Sequence, residues 1–481
     1  MSTSLFEVIF AKRVARIKPG LARVQLANEM LGWAAQRTPS ILVAGTNGKG
    51  TTSSFLWRLL AQGGLRCGLF TSPHLISFAE RIQVSDRIVR ESDLVCAIHA
   101  LRARLGDAVW DQLSFFEVSL LLGFDVWADA GTELNVLEVG LGGRLDATNI
   151  ASPGCSVITS IGIDHAEYLG NSIRQIAFEK SGIIRAGRPV FTGFCPDTPD
   201  NIVALEVIQS AACQAGSPLW RLGVHFGHRN GRFFCAIPSM ASWEANLPRY
   251  FEGAAPYLVD NFCTAAAVAA WCLHRRSGVR PLSSASLVDF DSGPGPWAPS
   301  VCGRFHQLVD GGGRTFLLDV CHNPHGAARF VEALDQSFGP DVRLPGVVSI
   351  LRDKDVGGVL DILTRKLHPI VLFKISNDRS LEAGMLPARY SSLPLAEDFE
   401  SACAMTGQSA LPTVVCGSVM AVGDVIGRLI EDKVTKDRLE ALGSCHDASI
   451  PVRQVAQAAA LLRCLSMRDV TGALSSGPSG S

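Results

Sequence analysis

The residues best suited to chemistry lie between Ile41 and Thr52, in the segment ILVAGTNGKGTT. Four apolar residues run into a loop with three glycines and one lysine, and apolar positions at helical spacing follow over 51–60. The segment therefore predicts a buried strand, a glycine loop and a helix. Backbone N–H groups at such a helix N-terminus bind phosphate oxygens. Lys49 would neutralise the outer phosphates and the Thr51 hydroxyl would bind Mg²⁺, so we expect the chain to bind ATP.

This loop departs from the common phosphate loop at one position, because Gly50 separates Lys49 from Thr51. The spacing argues against an ordinary kinase or small GTPase and favours a narrower group of nucleotide enzymes. Gly-Lys-Gly turns also occur in loops that have no function. The strand before the loop and the helix after it favour the nucleotide site over that alternative.

Further side chains follow predicted strands and could complete a site at the same sheet edge. Glu138 and His165 lie at the ends of two neighbouring predicted strands, and Thr51 lies at the end of a third. A carboxylate, an imidazole and a hydroxyl that converge there would form a Mg²⁺ site beside an ATP phosphate. Taken singly, His165 could be a surface histidine and Glu138 a capping or ion-paired carboxylate. Their shared position favours the metal site.

Two other charged positions leave alternatives open. Lys180 lies in the last turn of a predicted helix, and by itself it is better interpreted as a solvated residue or a partner of the helix dipole. Arg144 and Asp146 follow two glycines at the same sheet edge. They could serve the site or form a structural ion pair, and the residues alone do not decide between the two.

Strands and helices alternate along the first part of the chain, and each strand leads into a polar or glycine-rich loop. The predicted strands after the phosphate loop are 67–70, 135–139, 156–161 and 189–190. The predicted helices are 114–130, 172–183 and 260–272. This alternation predicts an α/β fold with a doubly wound parallel sheet.

Residues 283–299 are rich in Ser, Gly and Pro, and we interpret them as a linker. After this segment, predicted strands and helices alternate again. Predicted strands at 315–320, 346–351 and 413–416 form a second, smaller, Rossmann-like α/β domain. We expect a helix at 452–464 and a disordered end at 474–481. The expected parts of the chain are residues 1–297, residues 298–432 and an extra tail, residues 433–481.

In the second domain, Asp319 ends a predicted strand, and His322 and His325 follow it. Two histidines at this spacing in a loop are a weak zinc signal, so a loop that contacts ATP from the second domain is the simpler interpretation. Arg304, just after the linker, could reach an ATP phosphate across the cleft. Lys354 lies between two aspartates and could equally belong to a solvated charge cluster.

The composition of the 481-residue chain narrows its class further. Hydrophobic residues make up 47% and charged residues 19%, which allows large globular cores. A formal net charge of −1 favours neither nucleic acid nor anionic membrane, and no uninterrupted apolar run reaches membrane-spanning length. The 14 cysteines form no C-x-x-C pair, which indicates free thiols in a reducing compartment. We expect a cytoplasmic monomer without nucleic-acid or membrane partners.

Several segments together resemble folylpolyglutamate synthase and dihydrofolate synthase, the folate branch of the Mur ligase superfamily. They keep the family's order and spacing from near the N-terminus to about Leu429, and the combination is far more specific than one glycine loop. The segments are ILVAGTNGKGTT at Ile41, TSPHLISFAERIQV at Thr71, SFFEVSLLLGFDVWA at Ser114, LEVGLGGRLDATN at Leu137, SVITSIGIDHAEYLGNSIRQIAFEKSGIIR at Ser156, FLLDVCHNPHGA at Phe316 and SILRDKDV at Ser349.

The resemblance implies a role for each candidate residue. The implied ATP contacts are Gly45, Thr46, Asn47, Gly48, Lys49, Gly50, Thr51, Thr52, Asn261, Arg304, Asp319 and His322. The implied Mg²⁺ ligands are Thr51, Glu138 and His165, and a carbamylated Lys180 would hold a second Mg²⁺, which replaces the solvated interpretation of that lysine. The residues that would grip the pterin substrate are Ser72, Pro73, His74, Asp146 and Ala147. The implied catalytic residues are Lys49, His165 and Lys180. The loop that contains Asp319 and His322 would also help to position the incoming glutamate.

The function implied by the resemblance is ATP-dependent amide ligation in folate biosynthesis. The enzyme would add L-glutamate to dihydropteroate, to the γ-carboxyl of tetrahydrofolate (poly)glutamates, or to both, through an acyl phosphate. Residues 1–297 would bind ATP and folate, and residues 298–432 would form the glutamate-ligase domain. The alternatives are another Mur-type ligase acting on a cell-wall precursor and a non-catalytic nucleotide-binding regulatory protein.

Overall fold

A computed structural model describes residues 20–85, 89–238, 240–276, 302–310 and 312–431. The predictions for the linker at 283–299 and for the tail beyond residue 433 lie outside these ranges. The strands, β1 to β16 in chain order, are Ser40–Ala44, Cys67–Phe70, Ile82–Val84, Leu134–Glu138, Pro153–Ile158, Val190–Thr192, Leu219–Arg221, Phe226–Arg229, Arg232–Cys235, Trp243–Asn246, His306–Val309, Thr315–Asp319, Leu344–Val348, Leu367–Phe373, Leu395–Ala396 and Thr413–Cys416.

The α-helices alternate with these strands, and five 3₁₀ helices supplement them in the described ranges. The α-helices, α1 to α13 in chain order, are Ala22–Met30, Ala34–Arg37, Lys49–Gln62, Glu91–Trp110, Phe115–Ala130, Ala166–Leu169, Ile173–Ser181, Pro199–Gln214, Pro256–His274, Pro324–Phe338, Val356–Leu363, Phe399–Thr406 and Val419–Glu431. The 3₁₀ helices are Phe78–Arg81, Ala147–Ile150, Arg249–Phe251, Ala383–Met385 and Ala388–Tyr390. None of the described helices is long and apolar enough to span a membrane.

A seven-stranded sheet has the order β3-β2-β4-β1-β5-β6-β7, and all its neighbouring strands are parallel except β2 and β3. Its strand β1 is buried along its whole length. Ile41 and Val43 pack into the core on one face, and Leu42 and Ala44 pack into the core on the other. A strand that is covered on both faces must be apolar on both, which explains the uninterrupted apolar run in the sequence.

Helix α9 packs along α3, the helix that follows the phosphate loop. Residues 265–270 of α9 are buried and five of them are alanine, so the two helices approach closely. Phe55 of α3 meets Phe262 of α9 edge to face, with ring centroids 5.7 Å apart. This packing brings Asn261, the residue before Phe262, beside the phosphate loop.

A six-stranded sheet has the order β11-β12-β16-β13-β14-β15, with only its edge strand β11 antiparallel to its neighbour. The predicted doubly wound α/β fold with a second, smaller α/β unit is confirmed. The sequence reasoning did not foresee the antiparallel sheet of β8, β9 and β10 that follows β7. The boundaries of the two predicted domains stay predictions.

One detail of the predicted arrangement at the sheet edge is wrong. The strands that lead to Glu138 and His165 are not neighbours, because β1 lies between β4 and β5. The phosphate loop after β1 is therefore flanked on one side by the end of β4 and on the other by the loop after β5. Ligands of open α/β sheets bind at this kind of edge, where neighbouring strand connections diverge.

Candidate active site

A cavity of about 720 Å³ is lined by loops of the seven-stranded sheet and by residues associated with the six-stranded sheet. It brings together most of the side chains that the sequence singled out. The predicted residues that line it are Gly45, Thr46, Asn47, Gly48, Lys49, Gly50, Thr51, Ser72, Pro73, Glu138, His165, Lys180, Asn261, Arg304, Asp319 and His322. The predicted residues outside its lining are Thr52, His74, Asp146 and Ala147.

The buried Lys180 and the half-buried Lys49 meet at the phosphate loop. Lys49 Nζ donates to Gly45 O at 3.0 Å and to Thr46 O at 3.1 Å, and Lys180 Nζ donates to Gly45 O at 2.8 Å. Burial lowers the pKa of both amines, and at Lys49 the charge of Glu138 opposes this shift. Neither amine forms an ion pair with a carboxylate of the described residues. A bound phosphate would supply an anion for the Lys49 amine.

Two glycines of the loop are required by the close approach of neighbouring side chains. Gly48 has a φ of 84°, and a Cβ on it would lie 2.5 Å from Asn261 Oδ1. A Cβ on Gly50 would lie 3.1 Å from Glu138 Oε2 and 3.3 Å from Glu138 Oε1. The additional glycine between Lys49 and Thr51 therefore lets the Glu138 carboxylate reach the phosphate loop.

Glu138 and His165 have the chemistry that a cation beside phosphate requires. Glu138 Oε2 accepts from Ser72 N at 2.8 Å, and its Oε1 has no hydrogen-bond partner within the described ranges. Burial raises the pKa of the Glu138 carboxyl, and the charge of Lys49 opposes that shift. Burial also lowers the pKa of His165 to about 4, which keeps the imidazole neutral, as a metal ligand must be.

The described residues contain no group of three or more His, Cys, Asp or Glu side chains arranged to hold a metal ion. Mg²⁺ bound to ATP needs only one or two carboxylates, because phosphate oxygens and water fill its other positions. The Glu138 carboxylate beside the loop, together with the Thr51 hydroxyl in the cavity lining, fits that mode of binding.

Asp319 orders the part of the site contributed by the six-stranded sheet. Its Oδ2 accepts from Tyr257 Oη at 2.6 Å and from Phe305 N at 2.9 Å, and its Oδ1 accepts from Cys321 N at 2.9 Å. Burial raises the pKa of this carboxyl, and the charge of Arg304 opposes the shift. Sequence reasoning missed Tyr257, because a tyrosine near the start of an apolar helix looks like a core residue.

The charged residues around Lys354 divide into a buried part and an exposed part. The Lys354 side chain is only 11% exposed and its Nζ lies 2.9 Å from Asp164 Oδ1, so it does not belong to a solvated cluster. Asp353, in contrast, is 44% exposed and pairs with Arg379 on the surface. Asp164 was missed because it precedes the more conspicuous His165.

His322 and His325 bond to protein groups. His322 Nδ1 lies 3.1 Å from Val320 O, and its Nε2 lies 3.3 Å from Asp164 Oδ2. His325 Nδ1 lies 2.9 Å from Asn47 Nδ2. With both rings engaged in this way, the structure argues against zinc binding by these histidines, and the predicted contact of His322 with ATP stays a prediction.

The loop that begins at Ser72 is held by a carboxylate that sequence reasoning missed. Glu80 is 3% exposed and accepts hydrogen bonds from the backbone N–H groups of residues 75–77, each at 2.7 Å. Together with the bond from Ser72 N to Glu138, these contacts fix the loop at both ends. The signal in the sequence was Glu80 itself, three residues after Ser77, as in a capping box.

The remaining predicted substrate residues have partners within the protein. His74 Nδ1 accepts from Arg81 Nε at 2.8 Å. Asp146 caps the 3₁₀ helix that begins at Ala147, since its Oδ1 accepts from the backbone N–H of Thr148 at 3.0 Å. Their predicted contact with the pterin therefore stays a prediction.

Of the charge pair considered from the sequence, Arg144 forms its ion pair with Glu179 at 2.8 Å. Asp146, the other member considered, instead accepts hydrogen bonds from Thr148 and from Leu141 N. Arg144 is 45% exposed. The structural interpretation of Arg144 is thus favoured, but with a different partner.

The fold and the cavity together define an α/β protein with a glycine-rich phosphate loop at the edge of a parallel sheet. A comparison with models of protein families finds no match. A crystal structure of bifunctional folylpolyglutamate synthase/dihydrofolate synthase with Mn, AMPPNP and L-glutamate bound is 30% identical to this chain, with a TM-score of 0.73 over 89% of this chain and 98% of the other. Escherichia coli FolC in complex with DHPP and ADP is 27% identical, with a TM-score of 0.73 over the same shares.

The relatives in sequence agree with these structures. Dihydrofolate synthase/folylpolyglutamate synthase of Escherichia coli strain K12 is 32% identical over 413 residues, which cover 85% of this chain and 90% of the relative. The folylpolyglutamate synthase of Lacticaseibacillus casei is 28% identical over 418 residues, covering 84% of this chain and 92% of the relative. The chain belongs to the dihydrofolate synthase/folylpolyglutamate synthase family, which confirms the resemblance stated from the sequence.

Proposed function

We propose that this protein is an ATP-dependent amide ligase of folate metabolism, which joins L-glutamate to dihydropteroate, to the γ-carboxyl of tetrahydrofolate (poly)glutamates, or to both. Membership of the family supports ATP-dependent glutamate ligation. One observation carries the proposal for this chain. One cavity is lined both by the phosphate loop with Lys49, Lys180 and Glu138 and by Arg304, Asp319 and His322. The first group belongs to the half of the molecule built on the seven-stranded sheet, and the second belongs to the half built on the six-stranded sheet.

A carboxylate is a poor electrophile, so forming an amide requires its activation. In the proposed reaction a carboxylate oxygen of the acceptor attacks the γ-phosphorus of ATP, the bond from that phosphorus to the bridging oxygen breaks, and ADP leaves. The amine of L-glutamate then attacks the acyl carbon. The C–O bond to phosphate breaks, inorganic phosphate leaves with the electron pair, and the amine nitrogen loses a proton to solvent.

Lys49 has the position to stabilise the transferring phosphoryl group. Its ammonium lies against the carbonyl oxygens of the loop that would cradle the phosphates, where protein dipoles replace water. The residues of the ATP site would be Gly45 to Thr52, with Asn261 beside the loop and Arg304, Asp319 and His322 facing it. Such an arrangement would exclude water from the activated carboxylate.

One Mg²⁺ would be held by Thr51, Glu138 and His165, and a second Mg²⁺ would be held by a carbamylated Lys180. Bound Mg²⁺ would neutralise charge on the phosphate oxygens. Carbamylation needs a neutral amine that can attack CO₂, and burial favours that form because it lowers the pKa of Lys180 well below its ordinary value. Carbamylation would convert the Lys180 side chain from a cation into an anion whose oxygens can bind metal. The neighbouring Lys49 ammonium would favour this negative charge.

For the acceptor we propose the loop at Ser72 and Pro73, which lines the cavity, with His74, Asp146 and Ala147 completing the pterin contacts. This loop favours dihydrofolate synthase activity with polyglutamylation as a second activity. We keep the expected domains, residues 1–297 and 298–432, the monomeric state and the cytoplasmic location as proposals. Sedimentation at several protein concentrations tests the monomer.

The test is glutamate-dependent ADP release with Mg-ATP, comparing 7,8-dihydropteroate with tetrahydrofolate as acceptor. Turnover with both acceptors is the expected result. Turnover with tetrahydrofolate alone would restrict the enzyme to polyglutamylation and contradict the pterin role of the Ser72 loop. ATP hydrolysis that no acceptor or amino acid stimulates would contradict the ligase and favour a nucleotide-binding regulator.

A further inference from the structure

The Asp164 carboxylate lies where the two halves of the molecule meet. Its Oδ1 accepts from Lys354 Nζ at 2.9 Å, and its Oδ2 accepts from Asn323 Nδ2 at 3.0 Å and lies 3.3 Å from His322 Nε2. All three partners belong to loops of the six-stranded sheet, whereas Asp164 follows β5 of the seven-stranded sheet. The Asp164 and Lys354 side chains are each only 11% exposed.

A second contact across the same boundary lies beside the first. Asn47 of the phosphate loop and Asn323 exchange two hydrogen bonds, each of 3.1 Å, through their side-chain amides. His325 packs against Gly162, where a Cβ would lie 2.7 Å from the ring. Asn323 therefore bonds to both Asp164 and Asn47, and the contacts form one connected network along the cavity.

We infer that Asp164 is a positioning residue that holds the six-stranded half closed over the active site, and that it thereby couples ATP consumption to amide formation. The residue next to Asp164 is His165, and the residue two positions after Asn47 is Lys49. Separation of the halves at this network would therefore open the cavity where the phosphoryl group is transferred.

This inference rests on the proposed function, because an acyl phosphate is the species that needs protection. Water that enters the cavity attacks the acyl carbon, phosphate leaves, and the acceptor carboxylate is regenerated. ATP is then consumed without an amide product. A closed network excludes that water until glutamate has reacted.

A direct role of Asp164 in binding a ligand is the competing explanation. Both of its oxygens already bond to protein donors, so a ligand would have to displace Lys354 or Asn323. The two explanations differ in what happens when Lys354 is changed. A positioning network loses its function whichever of its charged partners is removed, whereas a ligand site at Asp164 does not depend on Lys354 in that way.

The test compares Asp164→Asn, Lys354→Met and the double variant with the full-length parent, using Mg-ATP, L-glutamate and the acceptor that the parent turns over. We measure the ratio of ADP released to amide formed, and kcat/KM for glutamate. Asp353→Asn is the matched control, since that aspartate is adjacent to Lys354 but pairs with Arg379 on the surface. Each single variant should raise the ratio several-fold and lower kcat/KM about tenfold, because one member of a buried charge pair is removed.

The double variant should be no worse than either single variant, because all of them break the same contact. Asp353→Asn should keep the parent's ratio. Unchanged ratios in both single variants, or additive losses in the double variant, would overturn the inference. Should Asp164→Asn fail to fold, the scattering of Lys354→Met decides, because Lys354 Nζ also lies 3.2 Å from His165 Nε2 and its activity reports on both contacts.

Solution X-ray scattering provides a readout that does not depend on turnover. The radius of gyration of Asp164→Asn and Lys354→Met should exceed that of the parent and of Asp353→Asn, with and without AMPPNP. Equal values would overturn the inference. A parent that forms no amide would contradict the proposed function, and scattering would then still decide whether the network joins the halves.

Discussion

The two strand-end loops that face each other in the cavity start their helices in opposite ways. Helix α3 follows the phosphate loop and begins after Gly48 without a side-chain cap. Helix α10 follows the loop after β12 and is capped by Asn323, whose side chain accepts from Gly326 N at 2.7 Å. No side chain therefore caps the first helix, whereas Asn323 satisfies one N–H group of the second.

The surrounding side chains extend this difference. Lys49 and Lys180 bring two amines to the phosphate loop without an ion-paired carboxylate among the described residues. In the loop after β12, Asp319 accepts three protein hydrogen bonds, and Asn323 bonds to the facing Asn47. The same strand-loop-helix topology therefore yields two different loops. We propose that the first binds phosphate; the second, after β12, bonds its polar side chains to protein groups, and we call it the positioning loop.

The largest loss of activity is expected when Lys49 is replaced. Lys49→Ala removes the ammonium that would stabilise the transferring phosphoryl group, and we expect kcat to fall by roughly 10³-fold. The steady-state rate of amide formation measures this. Lys374→Ala is the control, because Lys374 pairs with Glu397 on the surface of the other half. Near-normal turnover of Lys49→Ala would contradict the assignment of the phosphate loop.

A substitution at Lys180 tests whether this amine, which contacts the phosphate loop, becomes a carbamate. Lys180→Met should lower activity about 100-fold, as loss of a metal-supporting group does. In the parent, ¹³C-bicarbonate should give a carbamate signal in the ¹³C NMR spectrum, and Lys180→Met should lack it. A parent without this signal in the presence of Mg-ATP would show that Lys180 acts as an amine.

A substitution at Gly50 tests whether the additional glycine is needed for the close approach of Glu138 to the phosphate loop. Gly50→Ala places a methyl group against the Glu138 carboxylate, and we expect activity to fall roughly tenfold or more together with a higher Mg²⁺ requirement. Titration of activity with Mg²⁺ measures both changes. Gly427→Ala is the matched control, since its Cβ meets open space. Equal Mg²⁺ titrations of the two variants would mean that Glu138 does not need this approach.

The smallest effect is expected in the positioning loop. Tyr257→Phe removes the 2.6 Å hydrogen bond to the buried Asp319, and the free energy of unfolding should fall by about 1.5–3 kcal/mol, as for a hydrogen bond to a charged group. Urea denaturation measures this change. Turnover should fall only several-fold. A loss of turnover as large as that of Lys49→Ala would remove the distinction between the two loops.

Much of the fold could be predicted from the sequence because its central strands are covered on both faces. The strands β2 and β16 begin and end where the apolar runs predicted them. Ser114 and Ser172, expected at helix starts, are the N-caps of α5 and α7. The antiparallel sheet of β8, β9 and β10 was missed because exposed charged residues interrupt its short strands.

The site was predictable to the extent that topology alone brings strand ends together. This placed Glu138 and His165 beside the phosphate loop, although the exact strand order was wrong. The contact between Asp164 and Lys354 joins residues 190 positions apart. No local pattern encodes such a pairing, because it depends on how the two sheets are packed. Tyr257 was missed because it looks like a core residue, and Glu80 was missed although its spacing from Ser77 is a local capping-box signal.

The most direct test of the account follows the oxygen of the activated carboxylate. The acceptor is prepared with ¹⁸O in both oxygens of its reacting carboxylate and turned over with ATP and L-glutamate in unlabelled water. Transfer of the γ-phosphoryl group to the carboxylate predicts one ¹⁸O atom in each phosphate released per amide formed. Amide formed with unlabelled phosphate, or label found in AMP, would contradict an acyl phosphate made at this phosphate loop.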